Sequence, residues 1–271
     1  MSRIKACFDR LKAEGRGALL PYLEAFDPDY ETSLALLRQM PEAGADLIEV
    51  GVPFSDPSAD GPTIQLAAQR GLKAGATLKG VLELIHQFRQ GDDHTPIILM
   101  GYYNPINHYG VERFCKDAHQ AGVDGLIIVD LPPEEVEELA PYAKAEGLDI
   151  ITLTAPTTPD ERLKTILKDA SGFVYYVSIT GITGTRSATE EQLKAAMARL
   201  RGATDLPIVA GFGITTPEQA RTASRISNGA VVASAIIKEM AATYDEQGRA
   251  TAASLPTALE KIRSLAKAVR G

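Results

Sequence analysis

Five times along the chain a helix-like stretch ends in a small or polar turn and runs straight into a short apolar segment. The copies are Ala43-Gly44-Ala45-Asp46 before Leu47-Ile48-Glu49-Val50 and Ala121-Gly122-Val123-Asp124 before Leu126-Ile127-Ile128-Val129. They continue with Glu146-Gly147-Leu148-Asp149 before Ile150-Ile151-Thr152-Leu153, and Ala170-Ser171-Gly172 before Phe173-Val174-Tyr175-Tyr176-Val177. The last is Ser227-Asn228-Gly229 before Ala230-Val231-Val232. Glycine just past a helix supplies the left-handed residue that ends it. Short apolar runs without alternation are strands covered on both faces, and such strands are parallel. Three more strands, at 18–23, 96–100 and 207–210, lack this lead-in; the last two open on proline, which a first strand position tolerates.

Eight strands result, and helical patterns lie between them at 32–40, 81–88, 111–121, 133–145, 159–168, 189–200, 217–224 and 255–269. Regular β–α alternation predicts an α/β fold with a parallel sheet, and eight units favour a closed (β/α)8 TIM barrel over an open doubly wound sheet. The 271 residues fit one barrel of roughly 250. With no linker or low-complexity tract, the expectation is a single domain over 1–271. Residues 1–15, with Ile4, Phe8 and Leu11 on one face, add an N-terminal amphipathic helix rather than a signal peptide.

Composition narrows the partners. Hydrophobic residues make up 45% of the chain, aromatics 6%, and tryptophan is absent, so the core is built of Ala, Val, Ile and Leu. The net charge of −7 argues against nucleic acid or an anionic membrane as a main partner, since both require basic surface. No apolar run is long enough to span a bilayer. Cys7 and Cys115 are far apart, which fits a reducing cytoplasm. His86, His94, His108 and His119 show no ligand spacing, so no metal site is expected.

In a barrel the chemistry sits on the loops after the strands. Glu49 interrupts an apolar strand, and a carboxylate there is costly unless it is paired or functional. Asp56 and Asp60 follow, flanking Pro57; each is either a turn or helix cap or one of a pair of carboxyls suited to acid/base work. Gly181 and Gly184 among hydroxyl residues after the sixth strand fit a mobile lid, an anion loop or an ordinary flexible loop. Gly211-Phe212-Gly213 after the seventh strand and Ala233-Ser234 after the eighth stand where barrels usually seat a phosphate on backbone N–H groups and a helix N-terminus. For the tyrosines 102, 103 and 175, rim packing is the simplest reading.

Taken together these loops resemble the tryptophan synthase alpha chain family over essentially the whole chain. The most specific match is Glu49-Val50-Gly51-Val52-Pro53-Phe54-Ser55-Asp56-Pro57, continuing through Ala59-Asp60-Gly61-Pro62-Thr63-Ile64-Gln65. Met100-Gly101-Tyr102-Tyr103-Asn104-Pro105, Gly181-Ile182-Thr183-Gly184-Thr185-Arg186 and Gly211-Phe212-Gly213-Ile214 add to it. The resemblance implies a cytoplasmic lyase that splits indole-3-glycerol phosphate into indole and glyceraldehyde 3-phosphate by a retro-aldol step. It implies Glu49 as general acid/base, Asp60 as partner of the indole N–H, and Tyr175 as support for Glu49. Tyr22, Ile64, Met100, Ile127 and Phe212 would line the indole slot, Thr183 would help close the lid, and Gly184, Gly213, Ala233 and Ser234 would hold the phosphate. Asp56, Pro57 and Ser58 would form the loop that meets a pyridoxal-phosphate β subunit in an α2β2 heterotetramer, the chain itself needing no cofactor. A stand-alone lyase and a weakly catalytic regulatory partner of the β subunit are the competing readings.

Some positions depart from the family's usual pattern. Leu23-Glu24-Ala25-Phe26-Asp27-Pro28 carries Glu24 and Phe26 where the family usually has Thr and Gly. Ser58 replaces a larger apolar residue, and Ala233 a glycine. Tyr22 and Glu24 share one strand face, so Glu24 is expected at the barrel mouth beside Glu49 and Asp60. Three carboxyls there should repel and raise at least one pKa. Phe26 is expected to crowd the loop after the first strand.

Overall fold

The computed structural model describes residues 2–178, 189–211 and 213–271. Among the described residues there are nine strand segments: β1 (Ala18–Glu24), β2 (Ile48–Gly51), β3 (Ile97–Gly101), β4 (Gly125–Ile128), β5 (Asp149–Ile150), β6 (Thr152–Thr154), β7 (Val174–Val177), β8 (Ile208–Gly211) and β9 (Gly229–Val232). Every pairing is parallel, and the order runs β5-β4-β3-β2-β1-β9-β8-β7-β6. The fifth predicted strand is thus two segments separated only by Ile151, whose N–H still donates to the Leu126 carbonyl. β5 pairs with β4 and β6 with β7, so this broken strand closes the ring. The architecture is the (β/α)8 barrel.

The helices are α1 (Arg3–Ala13), α2 (Tyr30–Ala43), α3 (Pro62–Lys73), α4 (Leu78–Arg89), α5 (Tyr103–Tyr109), α6 (Val111–Ala121), α7 (Ala140–Ala145), α8 (Asp160–Leu167), α9 (Glu190–Arg201), α10 (Pro217–Ile226), α11 (Ser234–Ala241) and α12 (Ser254–Arg270). Sequence reading gave most of them within a few residues. It overextended the helix at 133–145, which is a short 3-10 turn, Val136–Glu138, followed by α7. Pro141 at the start of α7 lacks the N–H that a continuous helix would need there. It also took the Tyr102-Tyr103-Asn104-Pro105 stretch for a loop, where the chain turns into α5. Four of the five lead-in glycines, Gly44, Gly122, Gly147 and Gly172, have the positive φ expected. Gly229 does not; it lies in β9, where a Cβ would press on Ala18 at 3.0 Å.

Alternation sorts the strands into two cores. Leu19, Ile48, Leu99, Leu126, Val174 and Ile208 face the helices. Leu20, Leu47, Ile98, Ile127, Val209 and Val231 face the barrel axis, joined there by Ile4, Cys7, Phe8 and Leu11 of α1. Helix α1 therefore plugs the end from which the strands start. The rings of Phe8 and Phe173 meet at 5.8 Å. With that end sealed, any cavity on the axis must open at the strands' other end.

Candidate active site

A cavity of about 300 Å³ opens where the strands end. Its wall contains Tyr22, Glu49, Asp60, Ile64, Met100, Tyr175, Gly213, Ala233 and Ser234, which sequence reading had selected from separate loops. It also contains Thr63, Ile214, Thr215 and Val231, which that reading missed. Inward alternation on β9 would have found Val231. Thr63 and Ile214 lie inside the matched motifs but carried no assigned role, and nothing in the pattern singles out Thr215. Ile127 is not in the wall: it lies fully buried among the axial residues. Thr183, Gly184 and Phe212 lie outside the described residues.

Glu49 is 1% exposed. Burial alone pushes its carboxyl up to about 8, because the charged form loses its water and gains no cation. Among the described residues its Oε1 has no hydrogen-bond partner. An orphaned buried acceptor costs about 1–3 kcal/mol, so folding does not favour it, and a reacting group is where such a cost is retained. Tyr175 lies in the same wall and its hydroxyl sits where a Cβ at Gly211 would collide with it. Burial first, then the neighbouring Glu49, holds the Tyr175 phenol well above its ordinary value.

Asp60 is built differently. The Tyr102 hydroxyl donates to its Oδ2 at 2.8 Å and itself accepts from the Ala59 N–H at 3.0 Å. The amide of Gln65 donates to the Asp60 carbonyl at 2.8 Å, tying the loop to the start of α3. Burial raises the Asp60 carboxyl, against the lowering effect of Tyr102. Asp56 and Ser58 are exposed and Pro57 half-buried, so this loop carries one carboxyl inward and presents its tip to solvent.

The wall after β9, the neighbour of β1, has anion chemistry. Helix α11 starts at Ser234 with no acidic residue in its first turn, so its positive dipole end stands at the wall, although the Ile236 N–H already donates to the Ala233 carbonyl at 3.0 Å. Gly213 has φ +74, a conformation that suits glycine.

Around β1 the expectation is corrected in part. Tyr22 and Glu24 do share a face, and the Tyr22 hydroxyl donates to Glu24. Glu24 is 3% exposed, ends β1 on the face of Tyr22, and is not among the residues of the cavity wall. Its carboxyl is pushed up to about 8, by burial first, with Asp60 and Asp27 adding to it. Repulsion from Glu24 plays no part in raising Glu49. Phe26 does not crowd the mouth. Its φ of +64 turns the ring outward, edge-on to Tyr30 at 5.2 Å and against Gly80 of α4.

The fold and this wall define a class: a (β/α)8-barrel enzyme whose chemistry is carried by buried carboxyl groups. The chain belongs to the tryptophan synthase alpha chain family, whose model matches residues 8–268. It is a lyase acting on indole-3-glycerol phosphate in tryptophan biosynthesis. It is 64% identical over 270 residues to the tryptophan synthase alpha chain of Gluconobacter oxydans, covering 100% of both chains, and 62% identical to that of Gluconacetobacter diazotrophicus, covering 100% of this chain and 98% of the other. Among solved structures it is similar to tryptophan synthase subunit alpha of Legionella pneumophila, with 38% identity and a TM-score of 0.90 over 99% of this chain and 98% of the other. It is also similar to a chain of the aminoacrylate-bound tryptophan synthase of Mycobacterium tuberculosis, with 31% identity and a TM-score of 0.87 over 99% and 100%.

Proposed function

We propose that Glu49 carries out the cleavage as a single acid/base, starting and ending the cycle protonated. Its neutral carboxyl gives its proton to the indole ring carbon that bears the side chain. Asp60, receiving the ring N–H, stabilises the cation so formed. The Glu49 carboxylate then takes the proton of the adjacent hydroxyl, the carbon–carbon bond breaks, its electron pair restores the indole ring, and the hydroxyl carbon becomes the aldehyde of glyceraldehyde 3-phosphate. A carboxyl near 8 suits a group that both gives and takes a proton at neutral pH. Tyr22, Ile64 and Met100 form the apolar slot for indole. Gly213, Ala233, Ser234 and the α11 N-terminus receive the phosphate; by family pattern Gly184 is assigned to the phosphate too, Phe212 to the indole slot and Thr183 to closing the lid. Tyr175 positions Glu49.

The observation that carries this reading is the unpartnered Oε1 of a buried Glu49 in a cavity that Asp60 and a helix N-terminus also reach. The test is indole release from indole-3-glycerol phosphate by Glu49→Gln, which keeps shape and removes proton transfer. Loss of about 10²–10⁴-fold in kcat is expected, and near-normal turnover would overturn the assignment.

In this reading the chain is one barrel domain that works in the cytoplasm, without a cofactor of its own. It pairs through the exposed tip at Asp56, Pro57 and Ser58 with a β subunit that holds pyridoxal phosphate, as an α2β2 heterotetramer. The same assay, run with added β subunit, separates the alternatives. Faster indole release marks a subunit, and no change selects the stand-alone lyase.

A further inference from the structure

Tyr22 stands in the cavity wall and is 4% exposed. A buried phenol hydroxyl needs an acceptor, or it forfeits the water it has lost. Three carboxyls face it: Glu24 on its own strand, Asp60 on the loop after β2, and Glu49, its direct register partner on β2. Its hydroxyl goes to Glu24. Asp60 already receives Tyr102, and Glu49 Oε1 is left free. The room for the Tyr22–Glu24 contact comes from Gly51, the register partner of Glu24, where a Cβ would collide with the Tyr22 hydroxyl.

Among the described residues, no cation is bonded to Glu24. Arg70 gives both of its guanidinium bonds to Asp27, at 2.6 and 2.9 Å, and stacks over Tyr244. It reaches Glu24 only as a field, opposed by Asp60 and Asp27.

We propose that Glu24 is a positioning residue for the cleavage: by taking the Tyr22 hydroxyl it keeps that donor off Glu49 and Asp60, so that Glu49 meets substrate with a free oxygen. The inference rests on the acid/base reading of Glu49. A phenol that donated to Glu49 would favour the carboxylate and lower its pKa. Glu49 would then lack its proton at neutral pH when the ring carbon needs it. Glu24, itself held neutral by burial, removes the donor without adding a full charge to the wall.

The test follows the Glu49 carboxyl directly, by carbon NMR of protein labelled at the glutamate carboxyls, with the Glu49 signal assigned through Glu49→Gln. Glu24→Leu keeps bulk and removes the acceptor; Glu24→Gln keeps an acceptor. The Glu49 midpoint should move down by about one unit in Glu24→Leu, the high-pH limb of kcat for indole release moving with it. The midpoint should stay in place in Glu24→Gln, and return toward its original position when Tyr22→Phe is combined with Glu24→Leu. If Glu24→Leu does not fold, Glu24→Val, which also lacks an acceptor, should give the same downward shift. An unmoved midpoint in the folded acceptor-less variant, or a shift that persists without the Tyr22 hydroxyl, overturns the proposal. The two ideas fail separately. If Glu49→Gln still releases indole, the acid/base reading falls whatever the midpoints do. If Glu49→Gln is inactive and the midpoint ignores Glu24, only the positioning role falls.

Discussion

The two ends of the barrel both bury carboxyl groups and treat them in opposite ways. Where the strands start, Asp46 accepts two bonds from Arg16, both at 2.8 Å, and one from the Leu19 N–H at 3.0 Å. Asp124 accepts from Arg89 at 2.7 Å, Arg3 at 2.9 Å and the Ile97 N–H at 2.8 Å. Arg3, and Arg10, which reaches Asp46 at 3.5 Å, come from α1, so these carboxylates fasten the plug to the strands. Where the strands end, among the described residues none of Glu49, Glu24 and Asp60 has a cation bonded to it, and Arg70 is committed to Asp27. Burial is alike at both ends: Asp46 is 5% exposed and Glu49 1%. The difference lies in the partners. Asp46 and Asp124 are tied by arginines and backbone N–H groups to neighbouring elements and serve the structure, although burial still raises Asp124. Glu49, with no such partner among the described residues, is pushed by burial alone up to about 8 and can trade a proton.

That contrast can be broken from either end. The largest expected effect on stability is at the start of the strands. Asp46→Asn removes the buried carboxylate that Arg16 and Arg10 reach, leaving Arg16, among the described residues, only the carboxylate of Glu14, and breaking one side of a buried pair costs up to about 3–5 kcal/mol. A denaturant midpoint should fall accordingly, while kcat for indole release by the folded protein is unchanged. A fall in kcat without loss of stability would show that the two ends are not separate.

At the other end the anion seat gives a somewhat smaller effect. Inorganic phosphate at about 100 times its Kd should stabilise the protein by about 2.7 kcal/mol if it binds only the native state. Ser234→Asp places a negative charge at the start of α11, where the dipole favours it for folding but where it repels an anion. The variant should fold and lose the protection. Protection undiminished in Ser234→Asp would move the seat elsewhere.

Phe26 gives the smallest effect. Its left-handed backbone costs about 1–2 kcal/mol relative to glycine, whereas losing a buried phenyl costs about 3–5 kcal/mol. The ring wins, so Phe26→Gly should destabilise by about 2 kcal/mol. Because the ring packs toward Tyr30 and α4 rather than the cavity, KM and kcat should hold steady. A change in KM would restore the crowding that the sequence had led us to expect.

The barrel was legible because its signals are local. A glycine past a helix and an apolar run that follows need only a few neighbouring residues, and Gly44 and Gly122 are the left-handed caps that pattern requires. The gap between β5 and β6 was not legible, since Ile150-Ile151-Thr152-Leu153 reads as one strand and the break is a property of the closed ring. Glu49 was legible as a charge in an apolar strand. Its solitude was not: whether a carboxylate has a cation depends on residues far away in the chain, as Arg16 is from Asp46. For the same reason Glu24 was placed correctly on the face of Tyr22, but the expected repulsion falls on Glu24, from Asp60, and not on Glu49. Alternation gives the face and says nothing of which hydroxyl comes between. Ile127 shows the remaining limit, since an inward position on β4 can line a cavity or lie beneath it, and only the depth along the barrel decides.

The central claim is that Glu49 is kept protonated near neutral pH by burial without a partner. It is tested most directly by the unfolding free energy of the parent protein and of Glu49→Gln, measured across pH 4 to 9. A carboxyl raised from 4.5 to about 8 in the folded state is protonated in the native chain and ionised in the unfolded chain between those values. The unfolded state then binds fewer protons, so the parent loses stability as pH rises through this window. Glutamine has no such loss, and the contribution of Glu24 is common to both proteins and cancels. The account predicts that Glu49→Gln gains on the parent steadily from about pH 4.5 to about pH 8, at about 1.4 kcal/mol per unit, and then stays ahead by a constant margin. Parallel curves across the whole range would mean that Glu49 titrates like an ordinary carboxyl, and would contradict it.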